Sequence, residues 1–148
     1  MNTMKVSLVR ARYPSVWEPT NLMYVSSFIK DRYQGNLEVK ILDGFFDSDE
    51  QILDQISDSD FVGLSGTTPQ VPHMQKLSKL IKKEYSSIKT IAGGYGPSLQ
   101  PFKFINDSTI DYLVVGEGEQ SMLDIINGNA TQKLVSNIPI ADVDTIPN

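Results

Sequence analysis

Three short stretches of this 148-residue chain are suited to holding a ligand against bare backbone: Ser65-Gly66-Thr67-Thr68, Gly93-Gly94-Tyr95 and Gly116-Glu117-Gly118-Glu119. Glycine lets main chain approach a bound group closely and take positive φ. Short hydroxyls donate and accept hydrogen bonds while occupying little space. The chemistry implied is enclosure and hydrogen bonding, not acid–base or nucleophilic catalysis. His73 is the single histidine, so no Ser-His-Asp arrangement can be built. The chain has no cysteine, which removes disulfides, zinc–cysteine sites, cysteine nucleophiles and iron–sulfur ligation by this chain alone. Neither G-x-x-x-x-G-K-[ST] nor G-x-G-x-x-G occurs, so neither nucleotide fingerprint is present.

Charged and aromatic residues complete the candidate set. Residues 10–20, RARYPSVWEPT, bring Arg10, Arg12, Tyr13 and Trp17 into one long loop. Asp43 ends an apolar run and is expected to cap a turn or bond a ligand hydroxyl. Glu119 stands near a helix start, where the helix dipole alone favours it, so Glu117 is the carboxylate expected to serve a site. His73 follows Pro72 at the head of a helix and is expected to be a solvated first-turn residue, not a metal ligand. The net charge of -5 argues against a nucleic-acid surface, which needs a basic stripe. Lys79, Lys82 and Lys83 read as a solvated helix face.

The elements that must position these residues follow from periodicity. Apolar runs at 4–10, 37–42, 60–66, 89–94 and 111–119 predict five strands, the last running into a helix. Between them, Leu22, Val25, Phe28 and Ile29 have helical spacing, as do Ile52, Leu53 and Ile56, then Met74, Leu77, Leu80 and Ile81, and finally Met122, Leu123 and Ile126. Ser48 followed by Gln51 predicts a capping box, and Gly128 a helix stop. Pro101 limits the segment between the fourth and fifth strands to a short or irregular helix. Strands alternating with helices imply right-handed crossovers and a parallel sheet. The expected fold is α/β, a flavodoxin-like doubly wound five-stranded parallel sheet of order 2-1-3-4-5. Ligands of such folds lie beyond the carboxyl ends of the strands, near the switch between strands one and three. Any one glycine- and hydroxyl-rich loop there reads first as turn chemistry; three on one sheet edge point to a site. Residues 1–128 are expected to form the domain, and 129–148 a linker or trailing arm. No apolar run approaches the about 18 residues of a membrane span, and the N-terminus lacks a signal-peptide core. The expectation is a soluble cytoplasmic protein.

The ordered set MKVSLVRARYPSVWEPTNLMYVSSFIKD, LEVKILDG, DFVGLSGTTPQ, IKTIAGGYGPS and IDYLVVGEGEQSMLDII resembles the N-terminal cobalamin-binding domain of cobalamin-dependent radical S-adenosylmethionine enzymes. The resemblance covers nearly the whole chain, and IADVDTIPN is similar to the linker that leads those enzymes into their radical barrel. It implies cobalamin lying across the carboxyl edge, with its dimethylbenzimidazole tail threaded beside the strands. Ser65, Gly66, Thr67 and Thr68 would then line the tail, Gly93, Gly94 and Tyr95 would meet its ribose and phosphate, and Gly116, Glu117 and Gly118 would flank the other side. Arg12, Tyr13 and Asp43 complete the expected cofactor contacts. No histidine stands after strand one, so binding is expected base-off with no histidine on cobalt. The partner implied is a radical barrel, in cis or in trans, carrying the iron–sulfur cluster and S-adenosylmethionine in methyl transfer or a related radical reaction. The chain is not expected to be catalytic alone. Two other readings share the fold: a non-catalytic interaction module whose cofactor site is lost, and a flavin- or nucleotide-binding protein.

Overall fold

The computed structural model describes residues 2–13 and 20–136. Strand β1 (Met4–Arg10) is followed by α1 (Thr20–Arg32), β2 (Leu37–Asp43), α2 (Asp49–Ile56), β3 (Phe61–Ser65), α3 (Val71–Glu84) and β4 (Lys89–Gly93). A short α4 (Tyr95–Leu99), β5 (Tyr112–Val114), α5 (Glu119–Ile126) and β6 (Leu134–Val135) complete it. All strands are parallel, in the order β2-β1-β3-β4-β5-β6. The flavodoxin-like α/β sheet is therefore as expected in its first five strands. The strand count is corrected from five to six. The sixth comes from the segment expected to be a trailing arm, where Leu113 N–H donates to Lys133 O and Val115 N–H to Val135 O. The rest of that arm, 137–148, lies outside the described residues, as do 14–19 with Trp17.

Side chains alternate across the sheet, and each face has its own core. Val9, Val62, Leu64, Ala92 and Leu113 pack with Ile52 and Ile56 of α2 and with Met74, Leu77 and Ile81 of α3. Val6, Leu8, Ile91 and Val114 pack on the opposite side with Leu22 and Ile29 of α1 and Met122, Leu123, Ile125 and Ile126 of α5. Strands buried on both faces call for apolar sequence in their interiors, as Val62 and Leu64 of β3 and Ile91 and Ala92 of β4 provide.

The helix ends obey local chemistry. Ser48 Oγ accepts from Gln51 N–H while Gln51 Oε1 accepts from Ser48 N–H, the capping box expected for α2. Gly128 takes φ +78 just past α5 and donates its N–H to Ile125 O, as a helix stop should. One lysine corrects the sequence reading. Lys82 is not a solvated face residue: its Nζ lies 2.6 Å from both Asp111 Oδ2 and Ile88 O, tying α3 to the turns that lead into β4 and β5.

Candidate functional site: a slot under the carboxyl edge

The register of the strands arranges the site in rows. On the face that carries α1 and α5, Arg10, Ser65, Gly93 and Val114 form the row at the carboxyl edge. Leu8, Gly63 and Ile91 form the next row, about 6–7 Å deeper at the rise of a strand. A cavity of about 750 Å³ lies against these two rows, closed by Leu22 and Val25 of α1 and Met122 of α5.

Gly63 makes the floor. It is buried in the interior of a central strand, where glycine packs nothing and loses more entropy than other residues. A Cβ there would stand 3.1 Å from Leu8 Cδ2 and 3.4 Å from Met122 Cε. The missing side chain is what lets the cavity reach the second row. Gly93 is the more open of the two, since a Cβ there would find only Val114 Cβ, at 3.6 Å. Gly94 is different. Its φ is +98, and a Cβ would lie 2.9 Å from Gly66 O, so it is glycine for the packing of one loop on another.

Polar groups line the rim. Ser65 is buried, and its Oγ accepts from Asn21 Nδ2 at 3.1 Å. Ser98 Oγ accepts from Gly116 N–H at 3.0 Å. In both hydroxyls the acceptor side is used, while the O–H has no partner among the described residues. Gln70 is buried behind the rim: its Oε1 accepts from Thr67 N–H and Thr67 Oγ1, and its Nε2 donates to Ala11 O. That amide ties the loop after β3 to the end of β1. Arg10 is held by a two-point pair with Asp43, Nε to Oδ1 at 3.0 Å and Nη2 to Oδ2 at 2.6 Å. Both side chains are mostly buried.

Ten of the expected residues line this cavity: Tyr13, Ser65, Gly66, Thr67, Gly93, Gly94, Tyr95, Gly116, Glu117 and Gly118. Arg12, Asp43 and Thr68 do not. Asp43 is engaged by Arg10 and by Phe45 N–H. Thr68 opens a single 3₁₀ turn and is exposed. Strand alternation puts Arg10, two residues from Leu8, on the cavity face. Arg12 lies beyond the strand and turns to the β2–α2 loop, donating to Gly44 O and Asp47 O. Arg10, Asn21, Gly63, Gln70, Ser98 and Met122 were missed. Two of these carry a sequence signal: glycine inside a strand marks close approach, and Thr67-x-x-Gln70 has the capping-box pattern.

His73 also departs from expectation. It is largely buried, accepts Arg12 N–H on Nδ1 at 2.6 Å and donates from Nε2 to Asp49 Oδ1 at 2.7 Å. The Arg12 N–H fixes the tautomer, because Nδ1 must then be without a proton. Burial pushes the Asp49 carboxyl up, but hydrogen bonds from His73, Lys76 and Arg12 outweigh it and hold it down at about 2. Both ring nitrogens are engaged, so His73 has none to offer a metal. Among the described residues no cluster of three or more His, Asp or Glu could hold a metal ion, and no helix is long and apolar enough to cross a membrane.

An open parallel sheet with a slot at its carboxyl edge, beside the strand switch, defines a ligand-holding α/β domain. Residues 6–126 match the family model of the B12 binding domain, and the chain belongs to that family. It is 28% identical over 115 residues to the anaerobic magnesium-protoporphyrin IX monomethyl ester cyclase of Rubrivivax gelatinosus, covering 74% of this chain and 20% of that protein. The radical S-adenosylmethionine methyltransferase TsrM of Kitasatospora setae, solved with cobalamin and a [4Fe-4S] cluster bound, superposes with a TM-score of 0.72 at 21% identity, over 88% of this chain and 26% of that one. A cobalamin-binding protein from Desulfitobacterium hafniense DCB-2 gives a TM-score of 0.64 at 15% identity, over 86% and 59%. At such identities the structural likeness concerns the fold. The chain spans about a fifth of the curated relative's length.

Two predictions follow from these contacts. Gly94→Ala should lower the unfolding free energy read from urea denaturation by about 1–3 kcal/mol, the cost of a strained backbone position, whereas Gly93→Ala should leave it nearly unchanged. Equal effects would refute the loop-packing role of Gly94. For Asp49 the folded value lies below the unfolded one, so its stabilisation is present above about pH 4 and disappears as pH falls towards about 2. The stability gap between wild type and Asp49→Asn should therefore be fully open above about pH 4 and close as pH falls towards about 2. A gap independent of pH would show that the ion pairs contribute nothing.

Proposed function

We propose that this chain is the cobalamin-holding domain of a cobalamin-dependent radical S-adenosylmethionine enzyme. It binds cobalamin base-off, with the detached tail in the slot beneath the carboxyl edge. The observation that carries this reading is the slot itself: two residue rows deep, floored by Gly63, and walled by Leu8, Ile91, Val114 and Met122. A flat aromatic tail needs such a space between a sheet face and its helices, and a filled core would deny it.

Each group has a part to play. The apolar walls take the tail out of water, and Ser65 O–H donates to it. Ser98 O–H and the backbone at Gly93 and Gly116 face the sugar and phosphate side. Arg10, fixed by Asp43, and Tyr13 close the rim beneath the macrocycle. His73 is committed to Arg12 and Asp49, so no histidine reaches the metal. Cobalamin would supply a cobalt centre able to carry and release a methyl group. The cluster and S-adenosylmethionine would belong to a radical barrel, in cis or in trans, because this chain has no cysteine to ligate iron. The chain's own task is to bind, orient and shield the cofactor for that barrel. Support for the barrel comes from the solved relative described as a radical S-adenosylmethionine methyltransferase.

Calorimetric titration with hydroxocobalamin and methylcobalamin tests the reading. Saturable binding is expected, and Gly93→Leu, which adds bulk at the slot mouth without backbone strain, should weaken it by at least about tenfold, the equivalent of 1.4 kcal/mol. Failure of the folded wild-type protein to bind at cofactor excess would overturn the proposal.

A further inference from the structure

The polar inventory of the slot is lopsided, and that imbalance bears on which tail it takes. Near Ser65 every backbone carbonyl whose partner can be followed is occupied: Ser65 O by Ala11 N–H, Gly66 O by Gly96 N–H, Thr67 O by Gln70 N–H and Gly94 O by Ser98 N–H. Gln70 Oε1 is doubly occupied by Thr67. What remains near the edge row is a donor, the Ser65 O–H, since its oxygen already accepts from Asn21. The row below offers only Leu8, Gly63 and Ile91, with Met122 across from them. The remaining acceptors, Glu117, Glu119 and the Asn21 side chain, stand at the rim, where Glu117 and Asn21 are exposed.

We infer that the slot is selective for a benzimidazole-type lower base and discriminates against purine-type cobamides, with Ser65 and the apolar second row as the specificity-determining residues. This rests on the cobalamin reading and sharpens it. A detached benzimidazole presents one polar ring atom, an acceptor nitrogen, and Ser65 O–H matches it; the rest of the ring is hydrocarbon. Adenine of similar outline adds two further ring acceptors and an exocyclic amine. Among the described residues the amine would meet only rim side chains or carbonyls that already accept a hydrogen bond, and the row below Ser65 offers the ring nitrogens no side-chain donor. Each buried polar group left unpaired loses its hydration without recompense. An apolar pocket that meets a near-isostere with one added polar group discriminates by up to about a hundredfold.

Calorimetry with three ligands tests this: cobalamin, the adenine-containing cobamide, and cobinamide, which lacks the nucleotide tail. Cobalamin should bind about 10–100-fold more tightly than the adenine cobamide. Ser65→Ala should weaken cobalamin by about 2–10-fold, the worth of one neutral hydrogen bond, and leave cobinamide unaffected. Met122→Gln, similar in shape but able to pair with a purine, should narrow the difference, with circular dichroism confirming that both variants fold. Equal affinity for cobalamin and the adenine cobamide overturns the selectivity while leaving the cobalamin reading intact. Cobinamide binding as tightly as cobalamin shows that the slot takes no tail. Absence of binding by all three overturns both.

Discussion

The molecule depends on one omission: the absence of side-chain bulk on the α1/α5 face of β3 at Gly63. A central strand of a doubly wound sheet ordinarily presents large branched residues to both faces, and here one face does, with Val62 and Leu64 packed against α2 and α3. On the other face the sequence Gly63-Leu64-Ser65 puts nothing and then a short hydroxyl where two apolar side chains would normally stand. A side chain at Gly63 would not simply add apolar burial, because its Cβ would already press on Leu8 Cδ2 at 3.1 Å and Met122 Cε at 3.4 Å. The strand is therefore left bare on the face where the cavity lies. The neighbours follow suit: Gly93 continues the opening on β4, and α1 and α5 stand back far enough to leave about 750 Å³.

Keeping a core open demands that its frame be rigid, and polar chemistry supplies this at the carboxyl edge. The Arg10–Asp43 pair joins the ends of β1 and β2. Gln70 ties the β3–α3 loop to Ala11. His73 and Asp49 fasten the start of the β1–α1 loop to α3 and α2. Buried pairs of this kind are weak evidence of stability, since desolvation offsets attraction. Their value here is positional. They fix where the loops leave the strands, and the hydroxyls of Ser65 and Ser98 keep an O–H without a partner among the described residues.

Much of this was legible in the sequence, for reasons that can be named. The change from strand period to helical period marks β1 through α5 in order, and local signals such as Ser48–Gln51 and Gly128 mark ends that the structure bears out. The loops that line the slot were found because glycines and short hydroxyls cluster at three strand ends. What escaped was non-local. The two residues of β6 carry no periodic signal. Whether Arg10 or Arg12 faces the cavity turns on where β1 stops alternating. Lys82 and His73 look like surface residues until the chain brings Asp111 and Asp49 beside them. Gly63 was visible as a letter but was read as part of a strand, although a glycine there was itself the clue to the floor.

Electron paramagnetic resonance of the protein loaded with cobalamin in the cobalt(II) state is the most direct measurement. The unpaired electron on that metal couples to any nitrogen held on its axis and splits each line into three. A tail detached into the slot, with His73 committed to Arg12 and Asp49, leaves no axial nitrogen, so a spectrum without the triplet is predicted. A triplet would mean that the tail base remains on the metal or that His73 has left its partners to bind it, and the slot would then have to serve another purpose.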